Sequence, residues 1–291
     1  MLRGIVSLAV LALLIATGVA VWLAVRPQGS ATRADAKHVP SRHKAKAPRR
    51  ERALRLPAVL PSRTRTVPIL MYHRIDVLEP SLPPITHRLT VDPADFAAQM
   101  RWLKRNGFHP VTQLQLFDAL ERGTRLPSKP VMITFDDGYR DVYRNASAVL
   151  QRLHMPATAY VITERVGRGG PSFLTWRQLS ILERRGITIG SHTVSHADLT
   201  TLDDAHALAE LRDSRAALER HLGHHVQWFA YPYGSENERV MALVRRARYV
   251  LAVTTKAGST QSAAAPLELR RYEIRDTTGV SGLASLMDSI E

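Results

Sequence analysis

The chain has 291 residues, 45% of them hydrophobic, enough for one domain of about 200–250 residues plus an accessory segment. It contains no cysteine, which excludes disulfides, thiolate nucleophiles and thiolate metal sites, so any metal must be held by His, Asp or Glu. The net charge of +14 is unevenly spread: residues 1–65 hold 13 Lys and Arg against 2 Asp and Glu, whereas residues 66–291 hold 27 against 24. The body of the protein is therefore near balance, which argues against a nucleic-acid-binding role.

The first element is a run of 22 residues without a charge, residues 4–25. At 1.5 Å per residue it can cross a hydrocarbon core of roughly 30 Å. It exceeds the apolar region of a signal peptide, about 7–15 residues, and no clear A-x-A cleavage site follows it. Residues 1–25 are read as an uncleaved transmembrane signal anchor, with a cleaved signal peptide as the alternative. Residues 26–66 are rich in Arg, Lys, Ala and Pro and lack a hydrophobic period. They are read as a disordered basic linker whose charge suits contact with anionic wall polymer or lipid headgroups.

From Val67 onward the pattern alternates. Apolar strand candidates fall at 67–72, 109–112, 130–135, 157–162, 187–191, 227–231, 249–254 and 267–274. Helical patterns fall at 93–106, 113–122, 139–153, 175–185, 203–222 and 236–247. Asp92-Pro93 supplies an N-cap followed by Pro at the first helical position, and Gly107 ends that helix. Alternation with short loops predicts an α/β domain over 67–291, with a parallel sheet that is open or closed into a barrel. In such folds the chemistry sits at the C-terminal ends of the strands.

Three polar clusters stand at strand ends. "VMITFDDGY" places Asp136 and Asp137 side by side after an apolar run, "ITIGSHTVSH" spaces His192 and His196 four apart, and "WFAYPYG" ends in the rigid turn around Tyr233. If a helical turn starts at His192, both imidazoles share a face and reach one ion. Two His and one Asp make a three-ligand divalent site with open positions for water and substrate. The second carboxylate is then free to act as a base. Asp-Asp-Gly alone is often a plain turn and a His-x-x-x-His pair is often structural; it is the combination that points to a hydrolytic metal centre.

"TFDDGY", "HTVSH" and "YPYG" resemble the polysaccharide deacetylases, carbohydrate esterase family 4 or the NodB-homology fold, over about residues 67–275. The resemblance implies a distorted (β/α)7 barrel and metal-dependent removal of acetyl groups from sugars. It implies Asp136 as catalytic base, Asp137, His192 and His196 as metal ligands, and the Tyr233 backbone N–H as an oxyanion donor. Two features depart from the common pattern. No histidine follows His225, so the acid expected late in the chain is missing; His73 in "VPILMYHRI" stands in for it. That opening resembles the PgaB/IcaB-type subgroup, which deacetylates poly-β-1,6-N-acetylglucosamine on a circularly permuted barrel. The arginine expected to brace the base is replaced by Ala230, and Arg271, with Arg270 as its rival, is the candidate substitute.

Tyr72, Trp176, Tyr231 and Tyr233 are candidates for stacking on a sugar. The remaining histidines are read as surface or structural. The ion is expected to be Zn²⁺, with Co²⁺, Ni²⁺ or Fe²⁺ also compatible with the donor set. The expected partner is an N-acetylated polysaccharide, with no nucleic acid and a monomeric state. Peptidoglycan, chitin-type or acetylated-xylan substrates are the alternatives, and a catalytically silent sugar-binding module is the rival from another class. One basic residue precedes the apolar run and twelve follow it, which by charge alone places the body in the cytoplasm. The expected surface polymer places it outside, and that extracytoplasmic, single-pass arrangement is the reading adopted.

Overall fold

The computed structural model describes residues 53–290. The segments expected to be the membrane anchor (1–25) and most of the linker (26–52) lie outside the described residues, and among those described no helix is long and apolar enough to cross a membrane.

Eight parallel strands form the main sheet: β1 (Ile69–Tyr72), β2 (His109–Pro110), β3 (Pro130–Phe135), β4 (Ala157–Val161), β5 (Ile187–Ser191), β6 (Trp228–Ala230), β7 (Leu251–Val253) and β8 (Tyr272–Glu273). Their order is β7-β6-β5-β4-β3-β1-β8, with β2 paired beside the start of β3. The two ends of this curled sheet approach each other at a parallel bridge between Val253 and Leu269. The run expected as one strand at 267–274 thus bridges β7 with its first half and pairs with β1 through its second.

Side chains alternate across the strands, as a pleated sheet requires. Val131, Ile133, Phe135, Ala157, Ala159 and Val161 belong to the larger core, with the flanking helices; Ile69, Met132, Tyr160, Trp228, Leu251 and Val253 form a second core. Both faces are buried, which explains the near-continuous apolar runs in the sequence.

The helices follow local signals. Pro93–Arg105 is capped by Asp92, whose carboxylate accepts from the Ala94 N–H at 2.7 Å. Gln113–Glu121 and Trp176–Arg184 each begin with a Thr/Gln capping box. Asp204–Leu222 starts at Asp203 and stops at the left-handed Gly223. The helix expected over 139–153 begins as a π-helical turn, Val142–Ala146, and continues as Ser147–Leu153. A closing helix, Gly279–Asp288, packs Leu283 and Met287 into the core and has no counterpart in the sequence reading.

The ordered domain also reaches back past Val67. Thr64–Thr66 pairs antiparallel with Thr260–Ser262. Leu54 donates its N–H to Gln227 Oε1 and accepts from Gln227 Nε2, both at 3.0 Å. Arg63 donates to the Leu120 and Glu121 carbonyls at the end of the Gln113–Glu121 helix, where a cation is favoured. Residues 53–66, assigned to the linker on composition, are thus held by backbone and amide hydrogen bonds, which leave no hydrophobic period to read.

Candidate active site

The three clusters converge at the C-terminal rim of the sheet. Asp136 and Asp137 follow β3, His192 follows β5, and Tyr233 lies just beyond β6. His73 follows β1, which pairs with β3 in the register Tyr72–Phe135, and the Asp136 N–H donates to the Tyr72 carbonyl at 2.9 Å. The acid candidate therefore stands next to the base candidate. The His73 Nδ1 atom is buried and has no hydrogen-bond partner among the described residues.

The two adjacent carboxylates are separated by backbone geometry. Asp137 has φ 69° and Gly138 φ 78°, so the chain reverses hand at once and turns the two side chains apart. A Cβ on Gly138 would lie 3.0 Å from Val161 Cγ1, so the turn needs glycine both for conformation and for space. Asp136 points inward to Arg271, which donates Nη1 to Oδ1 at 2.8 Å and Nη2 to Oδ2 at 2.7 Å. Arg271 is 1% exposed, and its Nε donates to the Thr254 carbonyl at 2.8 Å. Burial by itself would raise the Asp136 carboxyl; the Arg271 charge and its hydrogen bonds outweigh burial and hold it at about 2. Arg270, the rival, is exposed and donates to the Ala257 carbonyl.

Asp137 points the other way. Its Oδ1 lies 3.5 Å from His192 Nε2 and 3.5 Å from His196 Nε2, and one atom from each of the three residues falls within 4.8 Å of the others. His192 Nδ1 lies 2.8 Å from the Ala230 carbonyl, so it carries the proton and leaves Nε2 as a lone-pair donor toward Asp137. Burial first, and the neighbouring His192 second, hold the His196 imidazole well below its usual range, so its ring too is available as a neutral donor. Two donors each about 2.1 Å from a tetrahedral ion stand about 3.4 Å apart. The donor chemistry and the 3.5 Å separations fit one divalent ion.

The expected helical turn from His192 to His196 is absent. A loop brings the rings to a centroid distance of 4.8 Å using left-handed Thr193 (φ 65°) and His196 (φ 69°). Thr193 Oγ1 accepts from the His196 N–H, and Glu210 accepts from the Val194 and Ser195 N–H groups. Glu210 is invisible to a spacing argument because it comes from the next helix.

Tyr233 is left-handed (φ 60°) and 66% exposed, with its ring 4.6 Å from that of His196. The turn is locked by Gly234 (φ 71°), where a Cβ would meet Thr255 Oγ1 at 2.1 Å. The other aromatic candidates do not reach the site. Tyr72 is buried and donates to Gln99 Oε1, Tyr231 is buried and donates to the Leu267 carbonyl, and Trp176 stacks on His221 at 3.7 Å.

The structure adds an aromatic pair that sequence reasoning did not single out. Tyr139 stacks on Phe173 at 5.0 Å, with Arg74 over the Tyr139 ring and Arg165 over the Phe173 ring. Burial and then the Asp137 charge push the Tyr139 hydroxyl up to about 12. The signal available in the sequence was its place next to Gly138.

A protein-family model described as polysaccharide deacetylase matches residues 123–252. YxkH of Bacillus subtilis (strain 168), named for the same family, is 32% identical over 218 residues, 75% of this chain and 74% of its own length. The poly-beta-1,6-N-acetyl-D-glucosamine N-deacetylase of Staphylococcus aureus (strain MRSA252) is 25% identical over 187 residues, 60% of this chain and 64% of its own length. Among solved structures, the Streptococcus pyogenes deacetylase PplD, in complex with acetate, superposes with a TM-score of 0.71 at 31% identity, covering 78% of this chain and 99% of that one. The chain belongs to the polysaccharide deacetylase family, whose members are hydrolases acting on N-acetyl amide bonds.

Proposed function

We propose that this protein removes N-acetyl groups from N-acetylglucosamine residues of a cell-surface polysaccharide, with Asp137, His192 and His196 holding one divalent ion, Zn²⁺ foremost. The single observation that carries the reading is the Asp137–His192–His196 cluster standing beside the Asp136–Arg271 pair. An ion bound there would lower the pKa of water and polarise the acetyl carbonyl. Asp136 takes the proton of the attacking water; Arg271 keeps it ionised and fixes its orientation, giving up some basicity in exchange for constant availability. The Tyr233 N–H donates to the oxygen on which charge develops. His73 donates a proton to the departing glucosamine nitrogen, so that the amine leaves neutral and acetate is released. The unpartnered Nδ1 atom of His73 supports a ring that is not committed to a structural bond.

The match to the staphylococcal enzyme supports a β-1,6-linked polymer as substrate. The Val253–Leu269 bridge, which nearly joins the two ends of the sheet, supports a distorted, circularly permuted (β/α)7 barrel that begins with the His73 strand. Extracytoplasmic placement behind the 1–25 segment belongs to the same proposal, because the polymer lies outside the cell. Purified protein loaded with Zn²⁺ should release acetate from β-1,6-linked N-acetylglucosamine oligomers faster than from β-1,4-linked ones, and Asp136→Asn should abolish the release. Saturable binding of both oligomers without any acetate would sink the enzymatic reading.

A further inference from the structure

The opposite end of the sheet carries a separate concentration of charge. A cavity of about 250 Å³ opens beside the residues that lead into β6 and β7, lined among others by Arg55, Arg215, Arg245, Arg248 and His225. An adjoining groove shares three of these and adds Arg212, Arg246 and Glu219. Five of the six arginines lie within residues 66–291, and with Glu219 they amount to +4, more than the +3 balance of that whole region.

Most of this charge is uncommitted. Arg215 donates Nε to Glu219 at 2.9 Å and Nη1 to the Ala247 carbonyl at 2.8 Å. Arg245 acts through space on the part-buried Glu121. Among the described residues, Arg55, Arg212, Arg245, Arg246 and Arg248 make no side-chain hydrogen bond or ion pair. Guanidinium groups left this way match phosphate oxygens in pairs.

The chain arrives at this same face. Ala53, Leu54, Arg55 and Leu56 form part of the cavity wall. The sequence leading to them, residues 37–52, holds seven Lys and Arg against one Glu, and the only uncharged run of membrane-spanning length precedes it at 4–25. In the chain, residues 26–52 thus lie between this uncharged run and the basic face.

We propose that this arginine face docks on anionic phospholipid headgroups of the membrane that residues 4–25 enter, which turns the candidate active site, at the far end of the strands, toward the polymer. Each basic side chain near an anionic leaflet raises the partition coefficient by roughly fivefold, and the effect decays within a Debye length of about 10 Å at 0.1 M salt. Lipid docking itself does not depend on the catalytic reading, whereas the orientation toward the polymer rests on the proposed function.

The test uses residues 49–291, one compact unit comparable in extent to the PplD chain, and co-sedimentation with phosphatidylcholine vesicles with or without phosphatidylglycerol. Binding is expected only with phosphatidylglycerol and should fall as salt rises. The double variant Arg245→Gln/Arg246→Gln, on the exposed side of one helix, should lower the partition coefficient roughly thirtyfold without changing acetate release from soluble oligomers. Arg101→Gln/Arg105→Gln, two exposed positions on another helix, should change it far less. The proposal is overturned by binding indifferent to phosphatidylglycerol, by equal losses in both double variants, or by capture of inorganic polyphosphate without any binding to vesicles.

Discussion

Arg271 and Asp136 face each other through two parallel hydrogen bonds of 2.8 and 2.7 Å, both side chains almost fully buried and 135 residues apart in the chain. The pair ties the last strand of the sheet to its centre and decides the charge state of the proposed base. Without the guanidinium, burial would push the carboxyl up instead of leaving it at about 2. Arg271→Gln should therefore move the acidic limb of the kcat/KM profile to higher pH, since catalysis needs ionised Asp136. It should also cost about 3–5 kcal/mol of stability, as expected when one partner of a buried pair is removed. Arg271→Lys, which keeps the charge and loses the fork, should shift the limb less. An acidic limb that stays in place in both variants would remove Arg271 from the proposed mechanism.

Metal content can be read independently of turnover. Chelation followed by dialysis should abolish acetate release, and one equivalent of Zn²⁺ should restore it. Because the ion binds the folded state, it should also raise stability, by about 2.7 kcal/mol at a free concentration one hundred times the dissociation constant. Asp137→Ala and His192→Ala should lose both the bound ion and the thermal shift. Retention of stoichiometric Zn²⁺ in the Asp137→Ala protein would mean that another donor set holds it.

What the sequence made legible follows from where the signals are local. The strand runs at 130–135 and 187–191 read correctly because a parallel sheet buried on both faces must be apolar throughout. Asp136, Asp137, His192 and His196 could be singled out because they sit at the ends of those runs. The contact of Arg271 with Asp136 was anticipated from a missing arginine at Ala230, although nothing in the local pattern separates Arg271 from Arg270. What escaped was non-local. The His192–His196 loop depends on two left-handed residues and on Glu210 from the following helix. The buried fates of Tyr72 and Tyr231 depend on Gln99 and on the Leu267 carbonyl. Residues 53–66 are fixed by Gln227 and by a strand near residue 260.

His73 is expected to matter only where the leaving group needs a proton. His73→Gln should lower kcat on N-acetyl amides by about 10²–10⁴-fold, while an aryl acetate ester, whose leaving group departs as an anion, should be hydrolysed almost as fast as by the parent protein. Bound metal should be unchanged. Equal losses on the amide and the ester would assign His73 to positioning or packing rather than to proton donation.

Asp141 links the His73 strand to the aspartate loop and should leave a signature in stability. Its carboxylate accepts from the Ile75 N–H at 3.0 Å and from Arg74 Nε at 3.2 Å, while Asn145 Nδ2 donates to the Ile75 carbonyl at 2.7 Å. Burial outweighs the Ile75 and Arg74 contacts and pushes the carboxyl up from 3.8 to about 6. Between those values the folded protein keeps a proton that the unfolded chain releases, so stability falls as pH rises. The contribution is full below 3.8, is lost as pH passes about 6, and is flat above. The amplitude by linkage is about 3 kcal/mol. Asp141→Asn has no proton to release, so the stability of the parent protein minus that of the variant, measured by urea unfolding at steps from pH 4 to 7, should decrease across the interval and then level off. A difference that rises with pH would mean that the Arg74 pairing dominates and that the carboxylate is held ionised throughout.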